Sequence, residues 1–314
     1  MASKIIVVGS CMIDFTCFSS RLPKPGETLV GTRFERNYGG KGANQCVAAA
    51  KLGGSTALIA SLGSDTFAQE YLEILKKEYI DASRVKIQSG KHSGAAHITV
   101  AENGENSIVI VLGANESLTP EYVDSAVDVI KSASVLLCQF EVPLETTLRA
   151  LKLHQGHGFS IVNGAPAVKD PNPEILRLCD IFCVNETEAE VITGIQPVNL
   201  SNAQQVADEL LAKGCNAIIL TMGPLGAVYA SKVNRKITQI ATAKVHPVDT
   251  TGAGDAFLGA LAYFKAYLPE LPMEECIKRA CVVATKSVLK FGTHASFPSR
   301  KDLSEDLFKE TTFM

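Results

Sequence analysis

Short apolar runs rich in β-branched residues alternate with helical patterns along this chain, and this alternation limits its fold more than any other feature. The first predicted elements are a strand at Ile5–Val8, a helix at Ala43–Leu52, a strand at Thr56–Leu62 and a helix at Phe67–Glu78. A connection from a strand through a helix to the next strand is right-handed and places the two strands parallel. The sequence therefore predicts an α/β fold with a doubly wound, mostly parallel sheet flanked by helices.

The alternation continues through the second half of the chain. Thr119-Pro120 predicts the start of one helix, and another is expected near Glu145–His154. The predicted strands of this half are Val135–Phe140, Phe159–Val162, Asp180–Val184 and Ala217–Thr221. Both halves therefore fit one sheet that is covered on both faces.

Two segments do not fit this plan and predict a small separate β layer. Ala95–Val100 and Ser107–Leu112 are strand-like and flank Asn103-Gly104, a dipeptide that supplies the positive φ angles of a tight hairpin turn. The polar, proline-containing stretch Thr16–Arg36 is expected to join them. Because no repeat, linker or charge block divides the chain, we expect one domain, 1–314, with a protruding β lid formed by about 14–36 and 92–113.

Charge, cysteine usage and hydropathy exclude several classes of protein. The 314 residues include 30 Lys and Arg against 33 Asp and Glu, so no strong field attracts nucleic acid, which is not an expected partner. The nine cysteines include no C-x-x-C pair, which disfavours a disulfide framework or a zinc ribbon. No apolar stretch reaches the ~18 residues of a membrane helix. We therefore expect a cytoplasmic protein without a membrane partner, with the nucleus left open as a further location.

Polar residues follow several predicted strands at their carboxyl ends, where a doubly wound sheet binds its ligands. Asp14, Glu141 and Asn163 each come after one such strand. Two longer polar or glycine-rich stretches, 185–188 and 221–226, follow two others. Each residue alone is typical of a turn or a helix cap, but the repeated placement indicates a binding crevice.

The segment Val248–Gly259 carries the most specific chemistry. Gly252, Ala253 and Gly254 let the backbone approach a ligand closely, and a helix expected to begin at Ala256 would direct free N–H groups at a phosphate. Asp255 beside that phosphate could accept the proton of an attacking hydroxyl. A helix-capping role is the alternative for an isolated Gly-x-Gly-Asp.

A second glycine cluster, Tyr38–Gln45, also precedes a helical pattern. It matches neither the P-loop nor the dinucleotide fingerprint, which weakens both of those nucleotide-binding classes. Asn44 offers an amide to a polar ligand and Lys41 a charge. His154 and His157 lack the glutamate of a zinc protease and are expected at a surface helix end.

Three motifs together carry a resemblance that none carries alone. Gly-Gly-Lys-Gly-Ala-Asn-Gln at 39–45, Asn-Glu-Thr-Glu-Ala-Glu at 185–190 and Asp-Thr-Thr-Gly-Ala-Gly-Asp at 249–255 closely resemble the ribokinase-like carbohydrate kinase family. The similarity runs in order from Gly9 to Pro298, and 112–115 resemble the members that act on D-ribose. The resemblance implies ATP-dependent phosphorylation of D-ribose at O5, giving D-ribose 5-phosphate and ADP.

The resemblance also implies a sugar pocket. Asp14 would hold two vicinal hydroxyls, and Ala96 and Ile110 would belong to a lid that closes over the sugar and excludes water. The other residues that match the pocket are Met12, Ile13, Gly40, Lys41, Gly42, Ala43, Asn44, Glu141 and Asp255. The family's assembly implies a homodimer formed through the lids.

On the nucleotide side the resemblance assigns an ATP site, an anion hole and two cations. Asn185, with Gly254 and Asp255, would bind ATP together with the loop Thr221, Met222, Gly223, Pro224, Leu225 and Gly226. Residues 252–255 would form the anion hole, Asp255 would also be the catalytic base and Glu188 would join a Mg²⁺–water network. The matching positions for a monovalent cation, normally K⁺, are Asp249, Thr251, Ser287, Lys290, Gly292 and Ser296.

Two alternatives stay open beside a ribose kinase. One is another sugar or nucleoside kinase of the same family, such as a fructokinase or an adenosine kinase, although Asp14, Asn44 and Glu141 favour a small polyhydroxylated acceptor. The other is a non-catalytic sugar or nucleotide sensor, which would have no need for Asp255. The chain departs from the family at Gly164, where a proline is frequent, and we expect a looser loop there.

Overall fold

The computed structural model describes residues 3–310 and contains two sheets and ten α-helices within that range. The strands in chain order are β1 (Lys4–Val8), β2 (Met12–Ser19), β3 (Arg33–Gly39), β4 (Ser55–Gly63), β5 (Asp81–Gln88), β6 (Gly94–Ala101), β7 (Asn106–Val111), β8 (Val135–Cys138), β9 (Phe159–Asn163), β10 (Ile181–Asn185), β11 (Ala217–Thr221), β12 (Ala227–Ser231) and β13 (Thr238–Ile240). The helices are α1 (Lys41–Lys51), α2 (Thr66–Lys77), α3 (Pro120–Asp124), α4 (Val127–Lys131), α5 (Leu144–His154), α6 (Pro173–Leu178), α7 (Glu186–Thr193), α8 (Ala203–Ala212), α9 (Ala253–Tyr267) and α10 (Met273–Ser287).

The large sheet has nine strands in the order β13-β12-β11-β10-β9-β8-β1-β4-β5. The seven strands from β11 to β5 pair in parallel, whereas β12 and β13 pair antiparallel at one edge. Ile5 and Val7 pack into the core beneath α1, α2, α9 and α10, and Ile6 and Val8 pack into the core on the other face. The doubly wound prediction is confirmed, and the antiparallel edge is an addition that periodicity did not reveal.

The small sheet has the order β3-β2-β6-β7 and forms the lid. Its strands lie within 12–39 and 94–111, so the first lid segment is longer than the predicted 14–36 and the second is two residues shorter at each end than the predicted 92–113. Phe15 on β2 meets Phe67 of α2 edge to face at 5.6 Å, which seats the lid on the main body. Every residue of β7 is exposed, so the outer edge of the lid lies open.

Some local predictions were wrong in detail. At the hairpin turn only Gly104 has a positive φ, 86°, because Gly104 N donates to Ala101 O and forms a turn that needs one left-handed residue. Helix α9 begins at Ala253 instead of Ala256, since Gly252 takes a φ of 76° and turns the chain directly into the helix. His154 is buried, with Nδ1 on Ile130 O, so only His157 is at the surface.

The cysteines behave as the sequence predicts. All nine are free thiols, and eight are buried in the two cores, with Cys17 on the lid exposed. Burial raises the pKa of the Cys46 and Cys138 thiols to about 12, so they remain protonated. Within 3–310, no helix combines the length and apolarity needed to cross a membrane.

Candidate active site

The first turn of α1 lies directly against the chain that leaves β1. A Cβ on Gly42 would lie 2.5 Å from Ser10 N and 2.7 Å from the backbone of Gly9, so only glycine permits this approach. The close contact lets Ala43 N donate to Ser10 O at 2.9 Å. It also brings the side chains at the start of α1 to the edge of the sheet where β1, β8 and β9 end.

Asp255 lies in the first turn of α9 and faces α1. Asn44 Nδ2 donates to Asp255 Oδ2 at 2.9 Å, and Gln45 Nε2 donates to Asp255 Oδ1 at 3.0 Å. The carboxylate is buried, and Gly252 occupies the capping position of the helix. Asp255 is therefore not a helix cap, which removes the alternative role that an isolated motif allowed.

The start of α9 also presents an anion site. Ala253 N donates a hydrogen bond to Thr250 O, but across residues 3–310 the amide N–H groups of Gly254 and Asp255 donate to no protein atom. These amides open into a cavity of about 160 Å³ at the ends of β10 and β11. The cavity is lined by Lys41, Asn163, Ala165, Cys183, Val184, Asn185, Glu188, Thr221, Thr250, Gly252, Ala253, Gly254, Asp255 and Leu258. Free amides at a helix start fit a phosphate group.

On the other side of Asp255, polar groups converge beneath the lid. Glu141 Oε2 accepts from Lys41 N at 2.8 Å and from the hydroxyl of Ser10, which holds the carboxylate in place. Asn44 Oδ1 is buried with no protein partner among the described residues. An unpaired buried acceptor fits a ligand hydroxyl, because leaving it unmet costs free energy.

The lid contributes the remaining wall of this pocket. Asp14 lies within β2, in register with Ala96 of β6, and Ala96 is in register with Ile110 of β7. Paired residues in neighbouring strands point to the same face of a sheet, so the three side chains form one row. Asp14 is thus part of the lid sheet and does not lie in a loop after β1.

Charges of both signs are concentrated at this site. Burial, together with the negative charges of Glu141 and Asp255, raises the pKa of Asp14 to about 7. Burial alone would lower the pKa of Lys41, but Asp255, Glu141 and Glu188 surround the ammonium and the net shift is upward. Burial is also the main cause that raises the pKa of Glu141 and of Glu188. Lys41 is therefore the positive centre among the three carboxylates of Asp255, Glu141 and Glu188.

The nucleotide-side predictions fall at the ends of β10 and β11. Asn185 caps α7, because its side chain accepts from Glu188 N at 2.8 Å while Glu188 Oε2 accepts from Asn185 N at 2.9 Å. Both residues and Thr221 line the cavity. Along the following loop, Met222 points into the core and Leu225 is exposed.

The predicted cation positions lie just before α9 and from Ser287, the last residue of α10, onward, and the two regions are joined by Asp249. Its Oδ1 accepts from Thr251 N and its Oδ2 from Gly292 N, both at 2.9 Å. Ser287 and Ser296 are buried and donate their hydroxyls to backbone oxygens at the same end of the molecule, whereas the side chain of Lys290 is exposed. Asp249 is the one carboxylate among the six predicted positions.

Two predicted site residues have side chains that do not face the site, and four residues at the site were not predicted. The side chains of Ile13 and Ala43 pack in the core, so only their backbones can face a ligand. Ser10, Gln45, Gln139 and Thr250 belong to the site without having been assigned to it. Gln45 lies in the motif at 39–45, but nothing in the spacing shows that its amide reaches a residue 210 positions away.

A known family model, described as pfkB family carbohydrate kinase, matches residues 2–300. The chain belongs to this family. Among the relatives of this pfkB-family kinase, mouse ribokinase is 42% identical over 308 residues, which cover 98% of this chain and 95% of the relative. Deoxyribokinase from Salmonella typhi is 37% identical over 304 residues, covering 96% and 98%.

Solved structures confirm the ribokinase-like fold of this pfkB-family kinase. The structure of Arabidopsis thaliana ribokinase complexed with ribose and ATP matches with a TM-score of 0.88 at 28% identity, covering 96% of this chain and 97% of that one. Ribokinase from Thermotoga maritima matches with a TM-score of 0.85 at 31% identity, covering 96% and 98%.

Proposed function

We propose that this protein is an ATP-dependent kinase that phosphorylates D-ribose at O5, giving D-ribose 5-phosphate and ADP. The observation that carries the proposal is the place of Asp255, a buried carboxylate between a cavity with free helix-start amides and a pocket of hydroxyl-binding groups. The similarity to mouse ribokinase over nearly the whole of both chains supports the same activity.

The sugar is held by groups that match its hydroxyls. Asp14 accepts from two neighbouring hydroxyls, and the unpaired Asn44 Oδ1 accepts from a third. Glu141, fixed by Ser10 and Lys41 N, borders the same pocket. Such a pocket selects for sugars with hydroxyls at these positions, because a sugar that lacks one of them leaves a buried polar group of the protein without a hydrogen bond.

Phosphoryl transfer needs a base and a place for negative charge. Asp255 accepts the proton of the O5 hydroxyl while the new oxygen–phosphorus bond forms. The free amides of Gly254 and Asp255 at the start of α9 stabilise the negative charge that the transferring phosphoryl group develops, and Lys41 adds a positive charge between the two pockets. The lid, with Ala96 and Ile110, keeps water from competing as the acceptor.

Two cations belong to the proposed reaction. No group of three or more His, Cys, Asp or Glu within 3–310 could hold a metal ion, so Mg²⁺ would rest on the nucleotide phosphates and on waters near Glu188. When bound, Mg²⁺ neutralises charge on the phosphates. The loops joined by Asp249 would hold K⁺ through Thr251, Ser287, Lys290, Gly292 and Ser296, mainly with backbone oxygens.

We further propose a cytoplasmic homodimer joined through the lids. Ile108, Val109, Ile110 and Val111 on β7 are each at least 44% exposed, and β7 is an unpaired edge. A second lid would cover both the apolar side chains and the edge. The free, mostly buried cysteines agree with a reducing compartment.

An assay of ADP release with ribose, 2-deoxyribose, fructose and adenosine tests the function. We expect the highest kcat/KM with ribose, a product phosphorylated at O5, and a marked loss when K⁺ is replaced by a large organic cation. The relation to Salmonella typhi deoxyribokinase makes 2-deoxyribose the second candidate acceptor. Absence of turnover on ribose would overturn the proposal, and a higher kcat/KM on 2-deoxyribose would replace it with the second candidate.

A further inference from the structure

A chain of buried side-chain amides leads from the residue after β8 to the carboxylate of Asp255. Gln139 Nε2 donates to Gln45 Oε1 at 2.7 Å, and Gln45 Nε2 donates to Asp255 Oδ1 at 3.0 Å and to Asn163 Oδ1 at 3.2 Å. Gln45 and Gln139 are both 0% exposed. Neither glutamine can therefore touch a substrate, so any effect on the reaction must pass through the residues that Gln45 holds, which are Asp255 and Asn163.

The chemistry of the partners fixes the direction of each amide. An ionised carboxylate only accepts hydrogen bonds, so Gln45 must turn its NH₂ group towards Asp255. With its NH₂ group turned to Asp255, Gln45 has its Oε1 free to accept a hydrogen bond. Gln139 must therefore present its own NH₂ group to this oxygen. Gln139 thus prevents the side-chain amide of Gln45 from rotating, and Gln45 holds one carboxylate oxygen of Asp255.

The pair of buried glutamines lowers the stability of the folded protein. Gln139 Oε1 is buried with no partner among the described residues, and an unmet buried acceptor is unfavourable. A Cβ on Gly9 would lie 2.0 Å from this oxygen, so the chain provides space for the amide only because residue 9 is glycine. A core optimised for stability would place an apolar side chain here.

We propose that Gln45, supported by Gln139, is the positioning residue that orients Asp255 for proton transfer; this inference rests on the proposed function. The other donor to Asp255, Asn44, borders the sugar pocket through its unpaired oxygen, so sugar binding can change its hydrogen bonds. Gln45 is sealed from ligands. It holds Asp255 Oδ1 in place while the sugar enters and leaves, and Asp255 Oδ2 turns towards the acceptor hydroxyl.

Steady-state kinetics of Gln45→Leu, Gln45→Glu and Gln139→Leu test the role, with ribose binding measured by calorimetry. We expect Gln45→Leu to lower kcat about 10- to 100-fold, the usual effect of losing a hydrogen bond to a charged group, with the ribose KM and Kd changed less than about 2-fold. Gln45→Glu should also lower kcat, because a second carboxyl group beside Asp255 either repels its negative charge or shares a proton with it. Gln139→Leu should act in the same direction but less strongly. Thr146→Val, which removes a buried hydroxyl bonded to Leu118 O outside the site, is the control for lost stability.

A double-mutant cycle separates positioning from a general structural effect. If Gln45 acts through Asp255, Gln45→Leu should not lower the residual kcat of Asp255→Asn any further. Unchanged kcat in folded Gln45 variants of an active enzyme would overturn this inference alone, as would a full additional loss in the Asp255→Asn background. Absence of turnover in the wild-type protein would instead overturn the proposed function, and this inference with it.

Discussion

Single carboxylates decide most of the chemistry expected at this site. Asp255 is buried and Asp14 is partly buried, and their surroundings differ. Asp255 accepts hydrogen bonds from two amides, whereas Asp14 lies in the lid row near Glu141 and Asp255, where burial and like charges raise its pKa to about 7. One carboxylate is therefore held for proton transfer, and the other titrates near neutral pH.

Replacing Asp255 by Asn tests the base directly. We expect kcat to fall by about three orders of magnitude or more, because the amide keeps the shape of the side chain but cannot accept the hydroxyl proton. Ribose binding measured by calorimetry should change little. A variant with kcat near that of the wild-type protein would contradict the assigned role.

The pKa of Asp14 predicts a pH-dependent ribose KM. Above about pH 7 the carboxylate is ionised and accepts from two hydroxyls, whereas below that pH protonation removes one acceptor position. The KM should therefore rise as the pH falls from 8 to 6. KM measured across this range in the wild-type protein and in Asp14→Asn checks the assignment, since the variant should have a high KM with no such dependence.

The same raised pKa has a consequence for stability. Between pH 4 and 7 the folded protein keeps a proton on Asp14 that the unfolded chain has lost, so this residue's contribution to stability decreases as the pH rises through that window. Asp14→Asn removes the buried charge and should raise the Tm by a few degrees at pH 8 but not at pH 4. Thermal unfolding at both pH values measures this, and an equal shift at each would argue against a titrating Asp14.

At the scale of elements, the crossing of α1 and α9 assembles the site. α1 carries Lys41, Asn44 and Gln45, and α9 carries the free amides and Asp255. The helices approach closely at Gly259, where a Cβ would lie 2.5 Å from Gln45 O and 2.6 Å from Ala48 Cβ. The residue at this contact, Gln45, is also the residue whose side chain donates to Asp255.

Gly259→Ala should therefore affect both stability and catalysis. The methyl group forces the helices apart, which we expect to lower the Tm by roughly 3–10 °C, in the range of an overpacked core. It should also reduce kcat more than the ribose KM, because the amide donors move away from Asp255. Thermal melts and steady-state kinetics on the same preparation compare the two effects, and a stable variant with normal kcat would show that the crossing tolerates the change.

At the scale of the whole molecule, the lid is too small to be stable alone and has an exposed edge. The large sheet is buried on both faces by two cores, whereas the four-stranded lid leaves the apolar residues of β7 in water. We expect a second copy of the chain to cover this exposed apolar surface and free edge.

Sedimentation of two lysine variants tests the assembly. We expect the wild-type protein to be a dimer at micromolar concentration and Ile108→Lys to be a monomer, because the charge would be buried between the lids. Val233→Lys is the matched control, since Val233 is 99% exposed on a loop away from the lid, and it should remain a dimer. A wild-type monomer, or a dimeric Ile108→Lys, would count against joining through the lids.

Local sequence patterns were enough to predict the class of fold and to indicate which chemical groups the site holds. Hydrophobic periodicity is a local property, so strands such as β1 and β4 and helices such as α1 and α2 lie within a residue or two of their predicted bounds. The order of the motifs likewise indicated the anion hole and its aspartate. The short edge strands β12 and β13 have too few residues to show a period.

Only the tertiary structure decided how those groups work together. The hydrogen bonds from Asn44 and Gln45 to Asp255, the row of Asp14 with Ala96 and Ile110, and the titration of Asp14 all join residues far apart in the chain. No local pattern contains them, because distances between side chains and the loss of water around a charge exist only once the helices cross and the lid lies over the sheet.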